Sequence, residues 1–386
     1  MKQYYYIFFL LFILISGCNS SDKDINDTED VLAVTESHFS VNIRSRDDSN
    51  NSVNILEDDF IPEISQLFIS QMGTMINPSF NSSETTNLYQ YTYYNNSDAS
   101  WNAGTNFKPN KDKAVNWNDI KNRGLVGNVY SLYAMYFPYG NSIISDGNNG
   151  FSVQTDQSTL DNLRKSNILG AYHATSSLFT PLKFRLFHLT VYLQVNVFLP
   201  AFDPNDNTGF KENALQDAFV LNVNPNYIIE WRALRASDIE APLVVLNNSE
   251  DTSNIRMYSH IAPGNSPDRA KLKMNEFYGD LDMEMEEDDV YVLPFSVLIP
   301  PQGTNFSDND FLKFSFATPG GSVKNYYYAA KTQQVGGSFG MTQGVLQVLN
   351  LYIPRNGDGI ILVSAEVLPW TPADTNMNVT KKESNE

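Results

Sequence analysis

Apolar residues along this chain recur mostly at every second position, the period of a half-buried β-strand rather than the 3.6-residue period of a helix. Phe39, Val41 and Ile43 alternate with polar residues, and Ile64, Leu67, Phe68 and Ile69 form a second short run. Residues 129–139 are dense in aromatic and β-branched side chains, which suit a pleated surface. Between about 77 and 125 the chain is rich in Asn, Ser, Thr and Tyr, with Trp101 and Trp117 among polar neighbours, as in loops and short strands. Residues 158–169 predict at most a short helix, since Leu160, Leu163 and Ile168 are loosely spaced. In 182–199, Leu182, Phe184 and Leu186 share one parity, whereas Phe187, Leu189, Val191, Leu193, Val195 and Val197 share the other. The switch predicts a bulge or a strand break between Leu186 and Phe187, because a continuous strand cannot change faces.

Further strands are predicted at 218–223, 227–234, 243–246, 290–299, 311–316, 325–329, 345–353 and 359–368. Pro319-Gly320-Gly321 and Asn356-Gly357-Asp358-Gly359 punctuate them as hairpin turns. Many short strands with such turns predict an all-β protein of antiparallel sandwiches, and the length suggests two of them. The Asp-, Asn- and Pro-rich stretch from 201 to 215 reads as a linker, placing domains at 37–210 and 211–378.

The N-terminus has a different character. Lys2, an apolar run from Tyr4 to Ile15 and then Ser16-Gly17-Cys18 have the order of an export signal, and the run is too short to span a bilayer. Ile15-Ser16-Gly17-Cys18, which ends the signal at 1–18, resembles the bacterial lipobox, whose cysteine thiol carries diacylglycerol and whose amine becomes the new N-terminus after cleavage. Cys18 is the single cysteine, so no internal disulfide can form and core burial must hold the fold. Residues 19–36 are mostly polar and read as a flexible tether, in which Ser21-Asp22-Lys23-Asp24 partly resembles the acidic surface-export signal of Bacteroidetes lipoproteins.

Charge and chemistry narrow the function. With 26 Lys plus Arg against 44 Asp plus Glu, the net charge of −18 disfavours nucleic-acid or anionic-membrane partners. His38, His173, His188 and His260 are scattered without metal-ligand spacing, and neither a phosphate loop nor a Gly-x-Ser-x-Gly motif occurs, so no enzyme, metal or cofactor is expected. The run Asp280–Asp289 puts Leu281, Met283 and Met285 on one face and acids on the other, which reads as a solvated strand edge rather than a calcium site. Tyr326-Tyr327-Tyr328 is the densest aromatic cluster and could stack on sugars or fill a core.

Taken together, the lipobox, the early arginines, the Tyr-rich strand ending in Phe137-Pro138-Tyr139, the 182–199 segment and the final strand to Trp370 resemble the fimbrillins, pilin-like lipoproteins of Bacteroidetes. The resemblance implies two transthyretin-like β-sandwich domains, a place at the outer membrane and in a fimbria, and cutting by an arginine-specific protease. It also implies assembly with other pilus subunits by strand donation. Arg44 and Arg46 follow an alternating strand and precede the polar Asp47-Asp48-Ser49, so processing is expected after Arg46 in preference to Arg44. After Trp370 there is no alternating apolar strand to donate, which points to a tip or accessory subunit with a host or bacterial surface receptor. The alternative is a permanently lipid-anchored protein, either a pilus anchor or a glycan-binding lipoprotein.

Overall fold

The computed structural model describes residues 63–71, 88–93, 107–109, 120–122, 124–125, 128–140, 144–145, 150–177, 182–230, 243–246, 251–273, 287–303, 306–330, 341–355, 359–369 and 373–377. The chain begins with β1 (Gln66–Gln71), β2 (Leu88–Tyr93), β3 (Phe107–Pro109), β4 (Tyr130–Phe137), β5 (Ile144–Ser145) and β6 (Gly150–Ser152). Helix α1 (Leu160–Lys165) precedes β7 (Leu169–Thr175), β8 (Leu182–His188) and β9 (Val191–Pro200). Next come β10 (Leu215–Val223), β11 (Asn226–Glu230), β12 (Leu243–Leu246), β13 (Ser253–Arg256) and β14 (Tyr258–Ser259). After β15 (Asp268–Lys273) and β16 (Glu287–Ile299) follow β17 (Leu312–Ala317), β18 (Val323–Tyr328), β19 (Val345–Tyr352), β20 (Ile361–Pro369) and β21 (Ala373–Met377).

The strands form four sheets. A seven-stranded sheet has the order β21-β8-β7-β4-β1-β2-β3, and a four-stranded sheet β12-β11-β6-β5 faces it. Phe137 and Phe151 meet across that interface at 6.2 Å, and Phe151 stacks on Tyr227 at 5.8 Å. The second pair comprises β13-β10-β17-β18 and the sheet β14-β16-β9-β19-β20, in which β15 also pairs with β16. Here Phe295 and Phe314 meet at 5.5 Å. The described pairs are antiparallel except β9 with β19, which run parallel. The protein is therefore all-β, and one continuous core runs through both sandwiches.

Two sequence expectations are corrected. The division at 210 falls in the connection between β9 and β10, both strands of the second sandwich. Its polar residues close tight turns: Asp203 Oδ1 accepts from the Asn205 amide at 2.8 Å, Asp206 Oδ1 accepts from the Thr208 amide at 2.9 Å, and Arg355 donates to the Ala201 carbonyl at 3.0 Å. Turn chemistry and linker composition use the same residue types, so composition alone cannot separate them. Phe210 is buried against Phe316 and Tyr326. The sandwiches thus interleave in sequence, and segment 191–210 joins the second.

The parity switch also lies elsewhere. β8 keeps even residues inward through His188, and the change occurs at Leu189–Thr190 before β9 buries Val191, Leu193, Val195, Val197 and Leu199. The polar His188 occupies an inward position where the pattern required an apolar residue. The segment after Trp370, which lacks the apolar alternation of a donor strand, contains the short polar strand β21.

Helix α1 is capped by Thr159, whose hydroxyl accepts from the Asn162 amide at 3.3 Å. Its Leu163 is buried with Tyr192 and Leu298, the contact that gives so short a helix its place. At the β17–β18 turn the expected Pro-Gly-Gly is used, with Gly321 at φ +85°.

Gly209 sits at φ +79°, where a Cβ would overlap the Ala201 carbonyl oxygen. Gly209→Ala should therefore lower stability by about 2–3 kcal/mol, combining left-handed strain with a backbone clash. Urea denaturation measures this, and an unchanged midpoint would show that the loop yields freely.

Candidate assembly edge

The residues expected to carry lipidation and processing, Cys18, Arg44 and Arg46, lie outside the described residues, as do the tether and the 39–43 strand. The described part bears instead on how the sheets end. Strand β21 runs antiparallel to β8 at the edge of the seven-stranded sheet, with Ala373 opposite Leu186 and Met377 opposite Leu182. β8 pairs with β7 at Phe187 and His188, opposite Gly170 and Leu169. Along β8, β21 therefore supplies the edge ladder for Leu182–Leu186, while inward Phe184 and Leu186 are buried.

Sequence alternation could not find β21, because Ala-Asp-Thr-Asn-Met has no apolar stripe. A strand on an edge gains from main-chain hydrogen bonds, which any non-proline residue can make, so side-chain pattern is a weak signal there. Only the missing Pro and Gly between Ala373 and Met377 left the option open.

The remaining candidates separate in space. His173 packs edge-on against Phe184 at 5.8 Å, His188 Nδ1 lies 3.0 Å from Asn167 Oδ1, and His260 Nε2 lies 2.8 Å from Ser296 Oγ. Burial pushes the His188 imidazole down to about 3 and lowers His260. Among the described residues no three His, Cys, Asp or Glu side chains gather as a metal site. Of the acidic run, Glu287, Asp288 and Asp289 lie in β16 opposite Lys273, Leu272 and Lys271, so two of the three acids stand opposite a lysine. The three tyrosines alternate: Tyr326 and Tyr328 are buried, and only Tyr327 is exposed.

No protein-family model and no curated protein matches the chain. Similar solved structures include a protein provisionally assigned to cell adhesion from Bacteroides uniformis, at 12% identity and TM-score 0.45, covering 81% of this chain and 94% of that one. Others are the tip fimbrial protein Mfa3 from Porphyromonas gingivalis, C-terminally truncated, at 10% identity, TM-score 0.31 and coverage of 81% and 96%, and a fimbrial assembly protein from Parabacteroides distasonis, at 7% identity, TM-score 0.29 and coverage of 81% and 93%.

Truncation after Trp370 should raise amide exchange across Leu182–Leu186 while leaving Leu193–Leu199, in the centre of another sheet, protected. Equal exchange in both proteins would mean that β21 does not hold this edge. The buried His188 gives a second expectation. The unfolded imidazole takes a proton below about pH 6.5 and the folded one only near 3, so stability is full above pH 6.5 and falls below it, at up to about 1.4 kcal/mol per pH unit. His188→Gln should flatten that slope in denaturation curves between pH 6.5 and 4.

Proposed function

We propose that the chain is a structural subunit of a cell-surface fimbria, exported as a lipoprotein through Cys18, cleaved after Arg46 or Arg44, and joined to other subunits by strand donation. The observation that carries this reading is the pairing of β21 with β8. The main-chain ladder of an edge strand can be supplied equally by another strand, and an incoming strand with alternating apolar residues would bring side chains that Ala-Asp-Thr-Asn-Met lacks. Donation to β8 is then an exchange of one edge strand for another.

The same pairing supports a tip or accessory position. A C-terminal strand engaged within its own chain is not extended toward a neighbour, and its polar sequence makes it a poor donor. Such a subunit accepts a strand and ends the fibre.

Mass spectrometry of the N-terminus of protein recovered from the cell surface tests the processing step. A start at Asp47 or Ser45 is expected, and the double variant Arg44→Ala/Arg46→Ala should stay lipidated and outside the fibre. A lipidated Cys18 on assembled wild-type protein would favour the permanently anchored alternative. Cleaved, purified protein should form no long fibres alone, and their growth would overturn the tip role.

A further inference from the structure

We propose that the outward face of the sheet β13-β10-β17-β18 binds an anionic glycan, with sugar rings on Tyr327 and Phe219 and the acidic group on Lys313. Register places four side chains in one row across the four strands: Tyr327 opposite Lys313, Lys313 opposite Phe219, and Phe219 opposite Arg256. Their neighbours in sequence, Tyr326, Tyr328, Leu312, Phe314, Ala218, Val220 and Ile255, are buried in the core, so this row points outward. The order is therefore aromatic, cation, aromatic, cation on one pleated surface.

Lys313 Nζ lies 5.7 Å from the centre of the Phe219 ring, within cation–π range. Among the described residues its ammonium forms no ion pair. Arg256, by contrast, is held by Asp217 at 2.7 Å, which leaves Lys313 as the unneutralised charge at the centre of the row. Tyr327 is 47% exposed and Val323, four residues earlier on the same face, is 56% exposed; they are two of the four exposed large apolar side chains among the described residues. Isolated exposed apolar residues are ordinary, but here Tyr327 shares its row with the half-buried Phe219 ring and with Lys313 between them.

The platform is stiff. β13 is tied on its outer side by hydrogen bonds from the Arg256 amide to Thr155 and from the Gln157 amide to the Arg256 carbonyl, at 2.9 and 3.0 Å. Ser315 Oγ lies 2.7 Å from Asn325 Oδ1 between β17 and β18. Tyr327 and Phe219 stand two strand spacings apart, about 10 Å, so one extended ligand must span both.

A pyranose ring offers polarised C–H groups to the negative face of an aromatic ring, and a carboxylate or sulfate on it meets the central ammonium. A neutral glycan leaves Lys313 unused. A nucleic acid, whose affinity rests on many phosphate contacts, meets a chain of net charge −18 with one free cation in the row. The inference is independent of assembly, since the face is remote in the strand order from the β8–β21 edge.

The mature full-length protein can be titrated by calorimetry with tetragalacturonate, a chondroitin sulfate tetrasaccharide, maltotetraose and a short oligo(dT). Binding of either acidic sugar, weakened about tenfold by Tyr327→Ala and by Lys313→Gln, is expected, and the stronger of the two names the acid. Both positions are on the surface, so melting curves should match wild type. No binding of either acidic sugar, equal binding of maltotetraose or oligo(dT), or affinities unchanged in both variants would overturn the assignment.

Discussion

Strand β9 is the constraint on which the architecture depends. It is flanked by β16 over ten antiparallel pairs and by β19 in parallel, and its odd-numbered residues Val191 to Leu199 are fully or almost fully buried. Each such Val or Leu side chain contributes about 1.5–3 kcal/mol when taken from water. With Cys18 the single cysteine, no disulfide can share that role. The parallel neighbour matters as well: joining β9 to β19 requires a long excursion of the chain, and the intervening residues build the opposing sheet β13-β10-β17-β18.

Strands were legible where β-branched and aromatic residues alternate or run together, because such residues suit a pleated, buried surface. The segments 129–139, 243–246, 290–299 and 345–353 each return as a strand within a few residues of their predicted limits. What failed is equally physical. His188 hid the true parity change because a buried imidazole, with Nδ1 beside Asn167 Oδ1, is polar in composition but inward in position. The 201–215 loop looked like a linker because Asp203 and Asp206 serve turns. Of the candidate site, the strand edge at β21 was invisible, since its residues carry no burial pattern, and Tyr327 could not be told from Tyr326 and Tyr328 before the register of β18 was known.

Charge is used where ladders meet solvent. On β15 and β16 the pairs Lys271 with Asp289 and Lys273 with Glu287 oppose unlike charges directly across the strands, which favours this register over a one-residue slip. Unlike charges placed opposite each other near solvent add little stability, so their effect is on the specificity of pairing. On β17 and β18 the arrangement differs: Lys313 faces Phe219 rather than a carboxylate, and the outward row is amphipathic instead of salt-bridged. One fold thus presents two surfaces of different chemical character.

The contrast between β9 and β21 joins stability to function. Removing β9 would expose an apolar stripe on one strand and unpair two neighbours, so it cannot leave without unfolding the sandwich. Releasing β21 would unpair five residues of β8 at a sheet edge, a far smaller cost. Exchange is possible only where the ladder is the principal bond, and permanence only where burial is added to it. For the strand exchange proposed above, the place for the traded strand is an edge served by a segment far from its partner in sequence. That is the position β21 occupies.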